Sequence, residues 1–222
     1  MKKPIKERES KKLYFTINGV NISIKDKLTP GVNIRSIINK VFSIIPKPFL
    51  QYIDIIYIGD FDMLKDNDFG AVYDQRAIYL SNNQVSEADC VAHVVHEFAH
   101  AIEQNNYSLL YSDGLIEEEF LNKREKVQSL LSSEGYEVPL NYFYNLEYDK
   151  EFDNFLYNDI GYPMLAMLTT NVFYSPYAIT SVNEYFANTF EIFYNKKEFN
   201  FVKKISPAVY RKIMELEENN EQ

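Results

Sequence analysis

Two histidines and a glutamate stand together in one five-residue stretch, His96-Glu97-Phe98-Ala99-His100. On a helix, residues four apart lie on the same face about one turn apart, so both imidazoles can reach a single metal ion. Glu97 is rotated by about 100° from His96 on a helix of 3.6 residues per turn, and it therefore flanks such an ion. Two histidine ligands, a neighbouring glutamate as general base and one open coordination position are the arrangement of zinc hydrolases.

A catalytic zinc ion needs a third protein ligand. Cys90 does not suit this role, because it precedes His96 by six residues on the same predicted helix, about 9 Å along the axis. This disfavours a deformylase-like site, and Cys90 is better explained as a small buried residue. The better candidate is Glu184, near the start of a later predicted helix. Ser181 and Glu184 also form a capping box, so Glu184 could instead only cap its own helix. Glu191, seven residues further on the same face, is the alternative ligand.

The elements around these residues follow from local patterns. Ser86 and Asp89 form a capping-box pattern that predicts a helix from Ser86 to about Gln104. Two alternating runs around Asn18-Gly19 predict a β-hairpin over residues 13–24. The remaining prediction comprises strands at 52–58 and 70–81 and helices at 33–45, 115–133, 138–159, 162–171, 181–194 and 206–218. Strands and one helix followed mainly by helices indicate an α+β fold.

The third histidine, His93, lies three residues before His96 on a neighbouring face of the predicted helix. It could support the site as a hydrogen-bond donor or compete for the metal, but a histidine satisfied within the core is the simpler interpretation. The strand over 70–81 also has two interpretations. It could form the edge of a cleft to which an extended peptide adds as a further strand, or it could be a plain buried strand.

The His96–His100 sequence, followed by Tyr177 and by Glu184-Tyr185-Phe186-Ala187, resembles the gluzincin metallopeptidases. More narrowly, it is similar to the catalytic domain of anthrax lethal factor and to the bacterial Pro-Pro endopeptidases. The resemblance covers roughly residues 70–104 and 174–218. It departs from the family at Ala99, where the family usually has Gly, and at Asn188, where an acidic residue is usual. If that position orients a histidine ligand, Asn188 would support the zinc site less strongly.

The resemblance implies a zincin-like fold and a Zn²⁺ ion held by His96, His100 and Glu184. It further implies a zinc-dependent endopeptidase acting on a protein or peptide substrate, with Glu97 as general base and Tyr177 stabilising the oxyanion. We expect one metallopeptidase-like domain over 1–222. Within it, residues 1–12 would be flexible, 13–104 would form an α/β half with the active-site helix, and 105–222 a helical half carrying the third ligand.

Composition excludes several other classes. The chain has 222 residues, 23 Lys and Arg against 32 Asp and Glu, and hence a net charge of −9. Such a balance argues against nucleic acid as a partner, because phosphate binding needs a basic face. Cys90, the single cysteine, excludes an intrachain disulfide framework or a multi-cysteine metal site. No apolar run is long enough to span a bilayer, and no apolar region follows the basic residues 1–12 as a signal peptide requires. We therefore expect a cytoplasmic protein or one released by a non-Sec route.

Two other functions are compatible with the same residues. The chain could be a structural or interaction protein that has a zincin fold and binds metal without hydrolysing peptides. It could also be a helical domain without metal, in which the histidines are structural. The sequence does not determine the substrate specificity, including any preference for proline. It also does not determine the biological role or the oligomeric state.

Overall fold

The computed structural model describes residues 13–65 and 69–220. These residues form two compact units that divide within one helix, the first ending at Phe98 and the second beginning at Ala99. The organisation as a single domain whose halves meet at residue 104 stays a prediction. Residues 1–12, predicted to be flexible, lie outside the described residues.

The first unit contains a five-stranded mixed sheet. In chain order its elements are β1 (Leu13–Ile17), β2 (Val20–Ile24), α1 (Ile34–Ile44), β3 (Ile55–Gly59), α2 (Asp62–Lys65), β4 (Ala71–Asp74), β5 (Ala77–Ser81) and the start of α3 (Glu87–Asn105). The strand order is β1-β2-β3-β5-β4, with antiparallel pairs β1–β2 and β4–β5 and parallel pairs elsewhere. β4 is therefore an edge strand of this sheet.

The first hairpin is confirmed. Asn18 and Gly19 have φ angles of 50° and 87°, which is the left-handed backbone that a type I′ turn requires at both central positions. The predicted single strand over 70–81 is wrong, because this segment is a second hairpin, β4–β5. Its turn places Gln75 and Arg76 at φ 45° and 67°.

Side-chain contacts hold the Gln75-Arg76 turn. The guanidinium of Arg76 donates to both carboxylate oxygens of Asp54, at 2.8 and 2.7 Å, and to the carbonyl of Gln51. These partners lie more than twenty residues earlier in the chain. The turn is therefore stabilised by contacts that no local pattern predicts.

Helix α3 begins as predicted. The backbone N–H of Asp89 donates to the Ser86 hydroxyl at 3.1 Å, and this hydroxyl donates to the Asp89 carboxylate. The apolar face of α3 is fully buried at Val94, Val95 and Phe98. Phe98 packs edge-to-face on Phe42 of α1 with ring centroids 6.2 Å apart. Burial of this face fixes the rotation of α3 within its unit.

The second unit is helical. It contains the end of α3, then α4 (Tyr107–Tyr111), α5 (Leu115–Ser133), α6 (Lys150–Asn154), α7 (Tyr162–Leu168), α8 (Val182–Glu191), α9 (Phe199–Ile205) and α10 (Pro207–Asn220). Helix α5 matches its prediction, whereas the helix predicted over 138–159 is divided into the 3-10 turn Leu140–Tyr144, α6 and the π-helical segment Phe155–Ile160. The α+β class is confirmed. None of the described helices is both long and apolar enough to cross a membrane.

Candidate metal centre

The histidines of the five-residue motif lie one turn apart on the continuous helix α3, as their spacing predicts. His96, His100 and Glu184 each offer one ligand atom, and these atoms all lie within 4.8 Å of one another. Nε2 of His100 lies 3.5 Å from Oε1 of Glu184. Among the described residues, this is the group of histidine, cysteine or acidic side chains that could hold a metal ion.

The donor set fits zinc. Zinc binds imidazole nitrogen and carboxylate oxygen at about 2.0–2.2 Å in tetrahedral sites, which places neighbouring ligand atoms about 3.4 Å apart. The 3.5 Å between His100 and Glu184 is close to that edge length. All three side chains are partly exposed, which is compatible with a catalytic rather than a closed structural site.

Glu184 lies in the capped first turn of α8 and also belongs to the candidate ligand group. Its backbone N–H donates to the Ser181 hydroxyl at 3.2 Å, so Ser181 is the N-cap of α8. The Glu184 side chain faces His100, with Oε1 3.5 Å from Nε2 of the ring. Glu191, the alternative ligand, is the last residue of α8 and belongs to no metal-binding group among the residues that the structure describes.

Glu97, the predicted general base, is 8% exposed. Its Oε2 accepts a hydrogen bond of 2.7 Å from the backbone N–H of Tyr73 in the edge strand β4. A carboxylate with little solvent needs such a donor, because burial without one disfavours its charged form. The contact fixes the direction of the carboxylate and joins helix α3 to the sheet edge within the first unit.

His93 lies apart from the ligand group. Its Nδ1 is 3.0 Å from Oε1 of Gln84, and the Gln84 amide donates to the carbonyl of Gly70. Burial lowers the pKa of His93, which favours a neutral ring. These contacts agree with the interpretation of His93 as a satisfied core histidine. Cys90 is also buried, and burial raises the pKa of its thiol to about 11.

A buried carboxylate that the sequence pattern did not single out faces His100. Oε2 of Glu103 lies 3.6 Å from Nδ1 of His100, and the Tyr111 hydroxyl donates to the other Glu103 oxygen. Asn188 has a buried Oδ1 without a hydrogen-bond partner among the described residues. The i, i+3 spacing of His100 and Glu103 on one helix was the available signal.

Tyr177, the predicted oxyanion donor, is the first residue of the 3-10 turn Tyr177–Ile179, which leads directly into α8. A buried arginine holds this turn: Arg124 donates to the carbonyls of Ile179 and Thr180 at 2.8 and 2.7 Å. The segment between the candidate oxyanion donor and the candidate ligand Glu184 is thereby fixed to helix α5.

Two further tyrosines flank this region. Tyr148 and Tyr162 both donate to the carboxylate of Asp153, at 2.8 and 2.7 Å. Burial, together with Asp153, raises the pKa of both phenols, that of Tyr148 to about 12. The charge of Glu184 contributes to the shift at Tyr148, and Tyr177 contributes to the shift at Tyr162, so both phenols lie near the candidate site residues.

Comparison with protein-family models, with curated proteins and with solved structures finds no match to this chain.

Proposed function

We propose that this protein is a zinc-dependent endopeptidase of the gluzincin type, related to the lethal factor catalytic domain and the Pro-Pro endopeptidases. The observation that carries the proposal is the convergence of His96, His100 and Glu184 over more than eighty residues of sequence. The buried carboxylate of Glu97 adjoins this group on the same helix. Three ligands with a general base beside them form the set that zinc hydrolysis requires.

In this proposal His96, His100 and Glu184 hold the ion. Zinc bound there would supply a Lewis acid that lowers the pKa of water and polarises a substrate carbonyl. Glu97 accepts the proton from the attacking water and delivers it to the departing amine nitrogen. The Tyr177 hydroxyl donates a hydrogen bond to the oxyanion that develops on the substrate carbonyl oxygen.

The edge strand β4 supports a peptide as the substrate class. An exposed sheet edge binds extended peptides through main-chain hydrogen bonds, with side chains read at alternate positions. The outward N–H of Tyr73 in β4 already contacts the Glu97 carboxylate, so this edge lies beside the proposed general base. A strand added to β4 would therefore pass close to Glu97.

The Glu97→Gln variant tests the proposed catalytic step. Gln has the same shape but cannot accept the proton, so we expect cleavage of a peptide library to fall by about 10²–10⁴-fold. Metal analysis should show that the variant binds as much zinc as the wild type. Undiminished cleavage by this variant would exclude Glu97 as the general base.

The Glu184→Ala variant tests the ligand set, with Glu191→Ala as its matched control in the same helix. We expect Glu184→Ala to lose stoichiometric zinc and Glu191→Ala to retain it. The reverse result would transfer the third ligand to Glu191. Tight zinc binding by the wild type, without cleavage of any library peptide, would favour a zincin-fold metal-binding protein without hydrolytic activity. A wild type without metal affinity would favour structural histidines.

A further inference from the structure

We infer that Glu103 is a positioning residue for the proposed metal site: its carboxylate orients the ring of His100. The inference rests on the proposed zinc site and names a residue that neither the ligand pattern nor the family resemblance assigns. It follows from the surroundings of one buried carboxylate.

Glu103 is 3% exposed. Its carboxylate contacts the Tyr111 hydroxyl, which donates to Oε1, and the His100 ring, whose Nδ1 lies 3.6 Å from Oε2. A buried carboxylate needs polar partners, and one of these two belongs to a candidate metal ligand.

The two ring nitrogens of His100 face two different carboxylates. Nε2 points to Glu184, in the ligand group, and Nδ1 points to Glu103. A histidine that binds metal through Nε2 carries its proton on Nδ1, where a carboxylate fixes the tautomer and the orientation of the ring and raises its basicity as a ligand. Glu103 stands at the place where this interaction forms.

Tyr111 fixes the carboxylate in turn. It is 6% exposed, and its ring packs at a tilt of 40° against the exposed Tyr107 ring, with the centroids 4.9 Å apart. The phenol donates to Glu103, and burial together with Glu103 raises the pKa of this phenol well above its usual value. Tyr111 therefore remains a hydrogen-bond donor. The chain Tyr111–Glu103–His100 leaves the carboxylate little freedom to turn away from the ring.

The test is the Glu103→Gln variant, which keeps the shape of the side chain and removes its charge. Zinc affinity is measured by competition with a chromophoric chelator, and ligand geometry by the visible spectrum of the Co²⁺-substituted protein. We expect Glu103→Gln to bind zinc about 10–100-fold more weakly than the wild type and to alter the cobalt spectrum. Glu217→Gln is the matched control, because Glu217 also accepts from a buried tyrosine, Tyr194, at 2.8 Å, and should leave zinc affinity unchanged.

Thermal unfolding separates positioning from general structural support. A structural role predicts that Glu103→Gln lowers the melting temperature both with and without zinc. The inference predicts that the gain in melting temperature on adding zinc is smaller in the variant than in the wild type, whereas a structural role alone leaves this gain unchanged. An equal gain in the two proteins would overturn the inference.

The outcomes distinguish this inference from the proposed function. Zinc affinity within about threefold of the wild type in Glu103→Gln would overturn the role of Glu103 and leave the zinc peptidase proposal intact. A wild type that binds zinc without cleaving peptides would end the peptidase proposal, while the weakened affinity of the variant would still support Glu103. A wild type that binds no zinc would overturn both.

Discussion

Arg124 provides the sharpest test of how the second unit is held together. Its side chain is fully buried, and it donates to four backbone carbonyls, those of Tyr142, Asn145, Ile179 and Thr180. These carbonyls belong to two separate segments, which Arg124 fastens to helix α5. We consider the Arg124→Met variant, in which the aliphatic volume is largely kept and every donor is lost.

The expected loss follows from the carbonyls left without donors. Those of Ile179 and Thr180 are buried, and an unsatisfied buried acceptor costs about 1–3 kcal/mol. The other two are partly buried and can be hydrated, so they contribute less. Burial lowers the pKa of Arg124 to about 9, which shows that the charge itself is desolvated and that its removal offsets part of the loss. Two buried carbonyls at this cost, with the smaller contributions of the other two and the offset, lead us to expect that the free energy of unfolding falls by about 3–5 kcal/mol.

The assay is equilibrium unfolding in urea, followed by circular dichroism. A loss of about 4 kcal/mol lowers the ratio of folded to unfolded protein about 1000-fold, and domains have only about 5–15 kcal/mol in total. Arg211→Met is the matched control, because Arg211 is exposed on α10 and should change stability by less than about 0.5 kcal/mol. A loss below about 1 kcal/mol in Arg124→Met would refute the conclusion that the buried carbonyls left without donors destabilise the protein.

Three further predictions test other parts of the chain. A Cβ added at Gly70 would lie 2.2 Å from Cε1 of His93, so Gly70→Ala should lower the free energy of unfolding by about 1–3 kcal/mol. Adding His93→Ala to this variant should recover part of that loss, because it removes the clashing ring. Additive effects of the two substitutions on the free energy of unfolding would contradict the clash. Burial lowers the pKa of Lys123 to about 8, below its unfolded value, so above pH 8 the unfolded state binds more protons. The wild type should therefore gain unfolding free energy relative to Lys123→Met as pH rises from 8 to about 10, by at most about 1.4 kcal/mol per pH unit, and a flat difference in paired urea titrations would be inconsistent with this pKa. Tyr177→Phe should lower kcat/KM for a cleaved peptide by about 10–10³-fold without changing zinc content, whereas full activity would remove Tyr177 from the oxyanion role.

Local patterns predicted the elements whose stabilising contacts are local. The Asn18-Gly19 turn and the Ser86–Asp89 cap each involve residues a few positions apart, and both form as predicted. The β4–β5 hairpin was missed because Gln75 and Arg76 are not typical of a left-handed turn. The contact of Arg76 with Asp54 that holds this turn spans 22 residues and has no local signature.

The prediction of one long helix over 138–159 was wrong for a related reason. Aromatic residues recur there at helical spacing, but Asp149 caps a new helix by accepting from the N–H groups of Glu151 and Phe152. In the segment before this cap, the carbonyls of Tyr142 and Asn145 accept hydrogen bonds from the buried guanidinium of Arg124. A donor on helix α5 therefore holds the segment that precedes α6.

The sequence by itself determined the spacing of the candidate site residues on helix α3. The spacing of His96, Glu97 and His100 sets their relative directions on any α-helix, and the capping residues set where the helix begins. It also named Glu184 and Glu191 as candidate ligands, which share one face of α8 and are equivalent by periodicity. Their distances from the histidines are a property of the tertiary structure, in which Glu184 lies 3.5 Å from His100. Glu103 is buried beside the same ring, and burial is a property of the folded chain that no spacing encodes.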